Sequence, residues 1–164
     1  MKIKFLLSLL ASLILTISAS AGDGKPAFAG NWKLDRTKSS TTGSSLFLSA
    51  INIKVENDNL LTERIYENSN GENYPFNENL TLDNKESKIV IYEMPRKSKA
   101  QWSEKENSLL IESNTIYNGN SGEQNVNTIE TWKLSQDGNQ LIYDFVTKTS
   151  EGSLKGTYYF NKSK

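Results

Sequence analysis

The feature that most constrains this chain is an apolar–polar period of two, cut at short intervals by turn residues. Ile51, Ile53 and Val55 alternate with Asn52, Lys54 and Glu56, and Asn57-Asp58-Asn59 then reverses the chain. In a strand, successive side chains point to opposite faces, so a period of two marks a sheet with one buried side. The same habit returns over 60–67, 74–83, 88–94, 100–105, 109–117, 123–135, 140–149 and 153–161, with Asn, Asp, Gly or Ser at most of the breaks. Pro95-Arg96-Lys97 is read as the break after 88–94. Asp137-Gly138 and Asn118-Gly119 supply the positive φ that tight hairpins need. No segment after residue 21 carries a helical period.

Roughly nine or ten short strands with such brief connections cannot be parallel, because each crossover would need about a dozen residues. An antiparallel meander remains. Left open, it exposes two unpaired edges, and closing it on itself removes them. The expected fold is therefore all-β, an antiparallel up-and-down β-barrel of about eight to ten strands.

Residues 1–21 read as a signal peptide. Lys2 and Lys4 form a basic start, 5–17 an apolar run, and Ala19-Ser20-Ala21 a small-residue cleavage site. The apolar run, about 13 residues, falls short of the roughly 20 a membrane-spanning helix needs, so no membrane span is expected. Cleavage after Ala21 would deliver residues 22–164, a single domain, to the periplasm or the extracellular space.

Charge narrows the partners. The chain holds 19 basic and 19 acidic residues, and only Lys2 and Lys4 among them lie in the leader. The remaining domain is nearly neutral, without the basic stripe that tracks nucleic-acid phosphates, so no nucleic acid is expected as a partner. The short run Arg96-Lys97-Ser98-Lys99 reads as a solvated turn. With no Cys in the sequence, disulfides and cysteine-linked lipid are ruled out, and packing and sheet hydrogen bonds must supply the stability.

The chain also has no His. The usual general base, soft nucleophile and favoured metal ligands are thus missing, and no catalytic residue, metal or cofactor is assigned. The pairs Glu63/Glu67 and Glu104/Glu106 have the spacing of solvated strand faces, and Asp137-Gly138-Asn139 is a turn rather than a calcium loop.

More informative are polar residues that share a strand face with large apolar ones. Arg64 and Tyr66 fall on the face of Leu60, Glu78 on that of Phe76 and Leu80, and Glu130 between Thr128 and Trp132. Tyr143 and Phe145 share a face, as do Tyr158 and Phe160. With Trp32 and Trp102, these form the candidate barrel lining: Trp32, Arg64, Tyr66, Glu78, Trp102, then Glu130, Tyr143, Phe145 and Tyr158. Two readings stay open. Either the charges line a wet cavity and orient a ligand, paired with each other, or a one-residue slip turns them to solvent and the apolar residues fill the interior.

The opening stretch Phe28-Ala29-Gly30-Asn31-Trp32-Lys33-Leu34 resembles the G-x-W first strand of the lipocalins and also that of the fatty-acid-binding proteins. Continued through Asp35, Lys38 and Ser39, and matched by the later Trp132-Lys133-Leu134-Ser135-Gln136-Asp137-Gly138, it is similar to exported bacterial lipocalin-like domains. The resemblance implies a closed barrel that holds a small molecule. Two family features are absent: no Arg follows Arg96 to stack on the opening Trp, leaving Lys155 or Lys162 for that place, and no R-x-Y carboxylate clamp stands near the C-terminus.

The expected function is non-enzymatic binding of a small hydrophobic or amphipathic ligand inside the barrel. The alternative is a protein-interaction or inhibitor module with a packed barrel, working through loops 37–45 and 118–122 with a protein partner. A cyclase- or isomerase-type enzyme is the third reading, since a fold alone never establishes activity.

Overall fold

In a computed structural model of the chain, residues 27–40, 46–119 and 122–163 are described. The expected signal peptide lies outside them, as do positions 41–45 and 120–121 of the two loops singled out above. The strands are β1 (Gly30–Leu34), β2 (Leu46–Glu56), β3 (Asn59–Asn68), β4 (Asn73–Thr81), β5 (Ser87–Ile91), β6 (Met94–Ser103), β7 (Ser108–Gly119), β8 (Gly122–Leu134), β9 (Gln140–Thr149) and β10 (Gly152–Ser163). All adjacent pairs are antiparallel, in the order β4-β3-β2-β1-β10-β9-β8-β7-β6-β5.

This is the expected all-β up-and-down barrel, nearly closed. Because β1 pairs with β10, the chain ends are zipped together and the free edges fall mid-chain, at β4 and β5. These two strands share no ladder. Their seam is bridged instead by a Tyr92 hydroxyl donating to the Pro75 carbonyl at 2.6 Å, and by a Tyr74–Tyr92 edge contact. Beyond the end of short β5, Asp83 pairs directly with Gln101, and the Asn84 N–H reaches the Ala100 carbonyl at 2.9 Å.

The lower barrel end carries the 57–58, 104–107 and 135–139 turns, and the upper end the 69–72 and 92–93 turns. Interior residues of the lower half are sealed. Trp32, Leu80, Leu109, Ile111, Trp132, Leu141 and Phe160 are at most 1 % exposed. At about 25 cal/mol per Å² of apolar surface removed from water, this cluster dominates the stability of a barrel that has no disulfide.

The Gly30–Trp32 spacing now has a cause. Trp32 Nε1 donates to the Phe28 carbonyl at 2.8 Å, fixing the chain before β1. Lys162, paired with Trp32 in the ladder, lies with its ammonium 5.2 Å from the indole centroid. Its stem passes where a side chain on residue 30 would start, since a Cβ there would come 2.7 Å from Lys162 Cε. Gly30 also has φ +145°, a conformation L side chains avoid. So Lys162 covers the Trp32 indole with a point charge rather than a stacking plane.

Two boundaries differ from expectation. The reversal between β5 and β6 is made by Tyr92 and Glu93, at φ 48° and 69°, and not by Pro95. Pro95 lies inside β6, just before the β7 pairing starts at Arg96, where a missing N–H breaks no ladder bond on that side. In β2, a bulge between Leu48 and Ala50 lets both Leu48 and Ile51 face inward, which hides the first half of the strand from a period-two reading.

Replacing Gly30 by Ala should lower stability by about 1–2 kcal/mol through backbone strain and loss of the lysine lid. Urea denaturation followed by tryptophan emission measures it, and an unchanged midpoint would remove Gly30 from its assigned role.

Candidate functional site

Across the middle of the barrel, between the sealed lower core and the upper mouth, runs a layer of buried charge. β3 contributes Arg64, β4 Glu78, β6 Arg96 and Ser98, and β8 Glu130, all by strand alternation from apolar neighbours on the same face. Their exposures are 0 % for Arg64, 3 % for Glu78, 8 % for Arg96, 2 % for Ser98 and 2 % for Glu130.

The geometry is that of a neutral quartet. Arg64 Nη1 donates to Glu130 Oε1 at 2.7 Å. Arg96 holds Glu78 with two nitrogens, Nε to Oε1 at 2.9 Å and Nη2 to Oε2 at 3.3 Å, a bidentate grip that matches guanidinium to carboxylate. The Ser98 hydroxyl donates to Glu78 Oε1 at 2.6 Å, and Trp132 Nε1 donates to Glu130 Oε2 at 3.1 Å. Arg96 Nη1 reaches the Thr115 hydroxyl at 3.3 Å. Cross contacts tie the two pairs together, at 3.6 Å from Arg64 to Glu78 and 4.0 Å from Arg96 to Glu130. Both guanidiniums also lie over the Phe76 ring, at 5.8 and 5.7 Å, and Arg64 over Trp132 at 5.2 Å.

Each carboxylate is thereby satisfied, but Arg64 is not. Its Nε and Nη2 are buried and make no hydrogen bond. The Ser113 hydroxyl, beside Ser98 and Thr128 in the ladders, is likewise buried without a partner. Burial alone would lower the Arg64 pKa, yet the Glu130 and Glu78 carboxylates outweigh it and hold the guanidinium firmly protonated. Burial alone would raise the Glu78 pKa, and Arg64 and Arg96 outweigh it, drawing the carboxyl below its usual range. Desolvation pushes the Tyr143 phenol well up, with Glu130 adding to the effect, and takes Tyr158 up to about 12. Both phenols are neutral donors at ordinary pH.

Above this layer the interior is aromatic and hydroxylic. Tyr66 stacks on Phe76 at 5.9 Å, and Phe145 tilts against Tyr158 at 4.9 Å. The interior-facing Thr115, Val126, Thr128, Thr147 and Leu154 are only half-buried, in contrast with the lower half. Thr128 and Thr147 share a 3.0 Å hydroxyl–hydroxyl bond across β8 and β9. Two concavities lie outside this interior. One of 320 Å³ and one of 540 Å³ run across the outer face of β1–β4, lined by Lys33, Asn52, Glu63 and Asn77 among others, the second reaching Ile89 at the seam.

All nine residues of the candidate lining face the interior. Arg64, Glu78, Glu130 and Tyr143 come together in the charged layer, Tyr66, Phe145 and Tyr158 stand above it, and Trp32 and Trp102 belong to the lower core. The alternative of charges turned outward by a slipped register does not occur. Three members of the layer were not foreseen. Arg96 and Ser98, read as a solvated turn, are buried partners of Glu78, because β6 runs straight through Pro95. Ser113 joins them as a buried hydroxyl in β7. The signal was present in the alternation Arg96, Ser98, Ala100, Trp102 against Lys97, Lys99, Gln101. Among the described residues, no cluster of three or more acidic side chains is placed to hold a metal ion, and Asp137 instead caps its own turn through Ser135 and Asn139, which lowers its pKa to about 2.

The lowered Glu78 pKa carries a pH signature. A folded carboxyl that titrates below its unfolded value adds stability that is complete above the unfolded pKa, near 4.5, and is lost as pH falls through the folded pKa. Wild-type stability should therefore fall more steeply than that of Glu78→Gln as pH is lowered from 5 towards 3. Urea midpoints across that range test this, and parallel curves would contradict it.

Comparison of the chain with protein-family models, with curated proteins and with solved structures found no match.

Proposed function

We propose that the protein is an exported, lipocalin-like carrier that sequesters a small hydrophobic or amphipathic molecule in the upper half of its barrel, without chemical change to it. The observation that carries this reading is Arg64: a fully buried guanidinium with two nitrogens that make no hydrogen bond, beneath an aromatic- and threonine-lined interior whose upper side chains are less completely buried than those of the lower core. A pocket of apolar walls with a few convergent polar groups is the usual form of a small-molecule site. Ligand surface leaving water against Tyr66, Phe76, Phe145 and Tyr158 supplies affinity at about 25 cal/mol per Å², and the polar floor fixes orientation. The non-catalytic reading rests on a chain with no His and no Cys, and the exported one on residues 1–21.

A second reading, docking of a protein partner, is favoured by the 540 Å³ concavity on the outer face, next to the unpaired β4 edge. The two are separable. Thr147→Trp fills the upper interior and leaves the outer face untouched. It should weaken binding of an amphipathic probe such as 1-anilinonaphthalene-8-sulfonate at least tenfold, with the circular dichroism spectrum unchanged. Binding equal to wild type would move the site out of the lumen.

A further inference from the structure

The charge balance of the polar layer says what kind of head group it takes. We infer that Arg64 receives an uncharged hydrogen-bond acceptor (a hydroxyl, carbonyl or ester oxygen) at the end of an apolar ligand, and that the site discriminates against carboxylates. The inference rests on the carrier reading above.

Two cations, Arg64 and Arg96, face two anions, Glu78 and Glu130, in a layer removed from water. The formal charge of the set is zero. A carboxylate added beside Arg64 would leave one negative charge in excess in a low-dielectric interior, where an unbalanced ion costs far more than a hydrogen bond returns. It would also meet a guanidinium whose charge is already engaged by Glu130 at 2.7 Å.

What the layer lacks is an acceptor, not an anion. Arginine has five N–H donors. Arg64 directs Nη1 to Glu130 and towards the Tyr143 hydroxyl, while Nε and Nη2 make no hydrogen bond, Nη2 being ion-paired with Glu78 Oε2 at 3.6 Å. A buried donor left unpaired is costly, so a neutral oxygen placed there restores the balance without adding charge. The Tyr66 phenol lies beside this guanidinium, whose charge offsets part of the upward shift that burial gives the phenol. Ser113, a buried hydroxyl of this layer that makes no hydrogen bond, can donate or accept, which suits an alcohol or ester better than an ion.

The experiment compares four probes of one chain length, laurate, 1-dodecanol, methyl laurate and dodecane, titrated at pH 7.5 into the full-length mature protein and followed by tryptophan emission. Dodecanol and methyl laurate should bind about tenfold more tightly than dodecane, the factor expected of one buried hydrogen bond, and more tightly than laurate. Arg64→Lys, which keeps the charge but loses the fork, should remove the advantage over dodecane, and Ser113→Ala should reduce the advantage of dodecanol. Laurate binding as well as dodecanol would overturn the discrimination while leaving the carrier reading intact. Dodecanol no better than dodecane would assign the free Arg64 nitrogens to water and overturn the inference. No binding by any of the four would overturn the carrier reading itself. If Arg64→Lys fails to fold, the wild-type series decides.

Discussion

The Glu78 carboxylate is the point on which this barrel turns. A ten-stranded meander closes fully only when its edge strands share a ladder, and here β4 and β5 do not. Glu78 reaches from β4 behind short β5 to Arg96 and Ser98 on β6, and through Arg64 and Glu130 the same charges run on to β3 and β8. The network thus does the closing that backbone hydrogen bonds leave undone, from the inside and in a region from which water is excluded. Tyr92 on Pro75 and the Asp83–Gln101 bridge fasten the two ends of the same seam.

Buried ion pairs do not by themselves stabilise a fold relative to well-packed apolar residues, because desolvation offsets most of the attraction. Their effect is on uniqueness. Two guanidiniums and two carboxylates that must find each other across β3, β4, β6 and β8 tolerate no slip of register, since a shift of one residue would turn each charge to the wrong face and strand its partner. The layer therefore divides the interior into two halves. Below it, Trp32, Trp132 and Phe160 form a solid core capped by Lys162. Above it, Thr128, Thr147 and Leu154 are only partly buried.

Most of this architecture was legible in the sequence where side-chain alternation was uninterrupted. The faces of Leu60 to Tyr66, Phe76 to Leu82, Val126 to Leu134 and Leu141 to Thr147 were assigned correctly, so the nine lining residues all face inward. The failures have specific causes. Tyr92-Glu93 turns the chain with positive φ at two residues that carry none of the usual turn chemistry, so the reversal was placed at Pro95 and the inward set Arg96, Ser98 went unseen. The β2 bulge interrupts the period at Ser49, concealing Leu46 to Leu48. Which charges pair could not be read at all, because Arg64 and Glu130 are 66 residues apart and meet only once the barrel is closed.

The central claim is that Glu78 and Arg96 act as one unit in holding the seam. A double-mutant cycle on Glu78→Gln and Arg96→Met, read as unfolding free energies in urea at pH 7, measures it directly. A coupling of about 1.5 kcal/mol or more is expected for partners in one buried network. Losses that add within about 0.5 kcal/mol would mean that the two side chains act independently and that backbone packing alone closes the barrel.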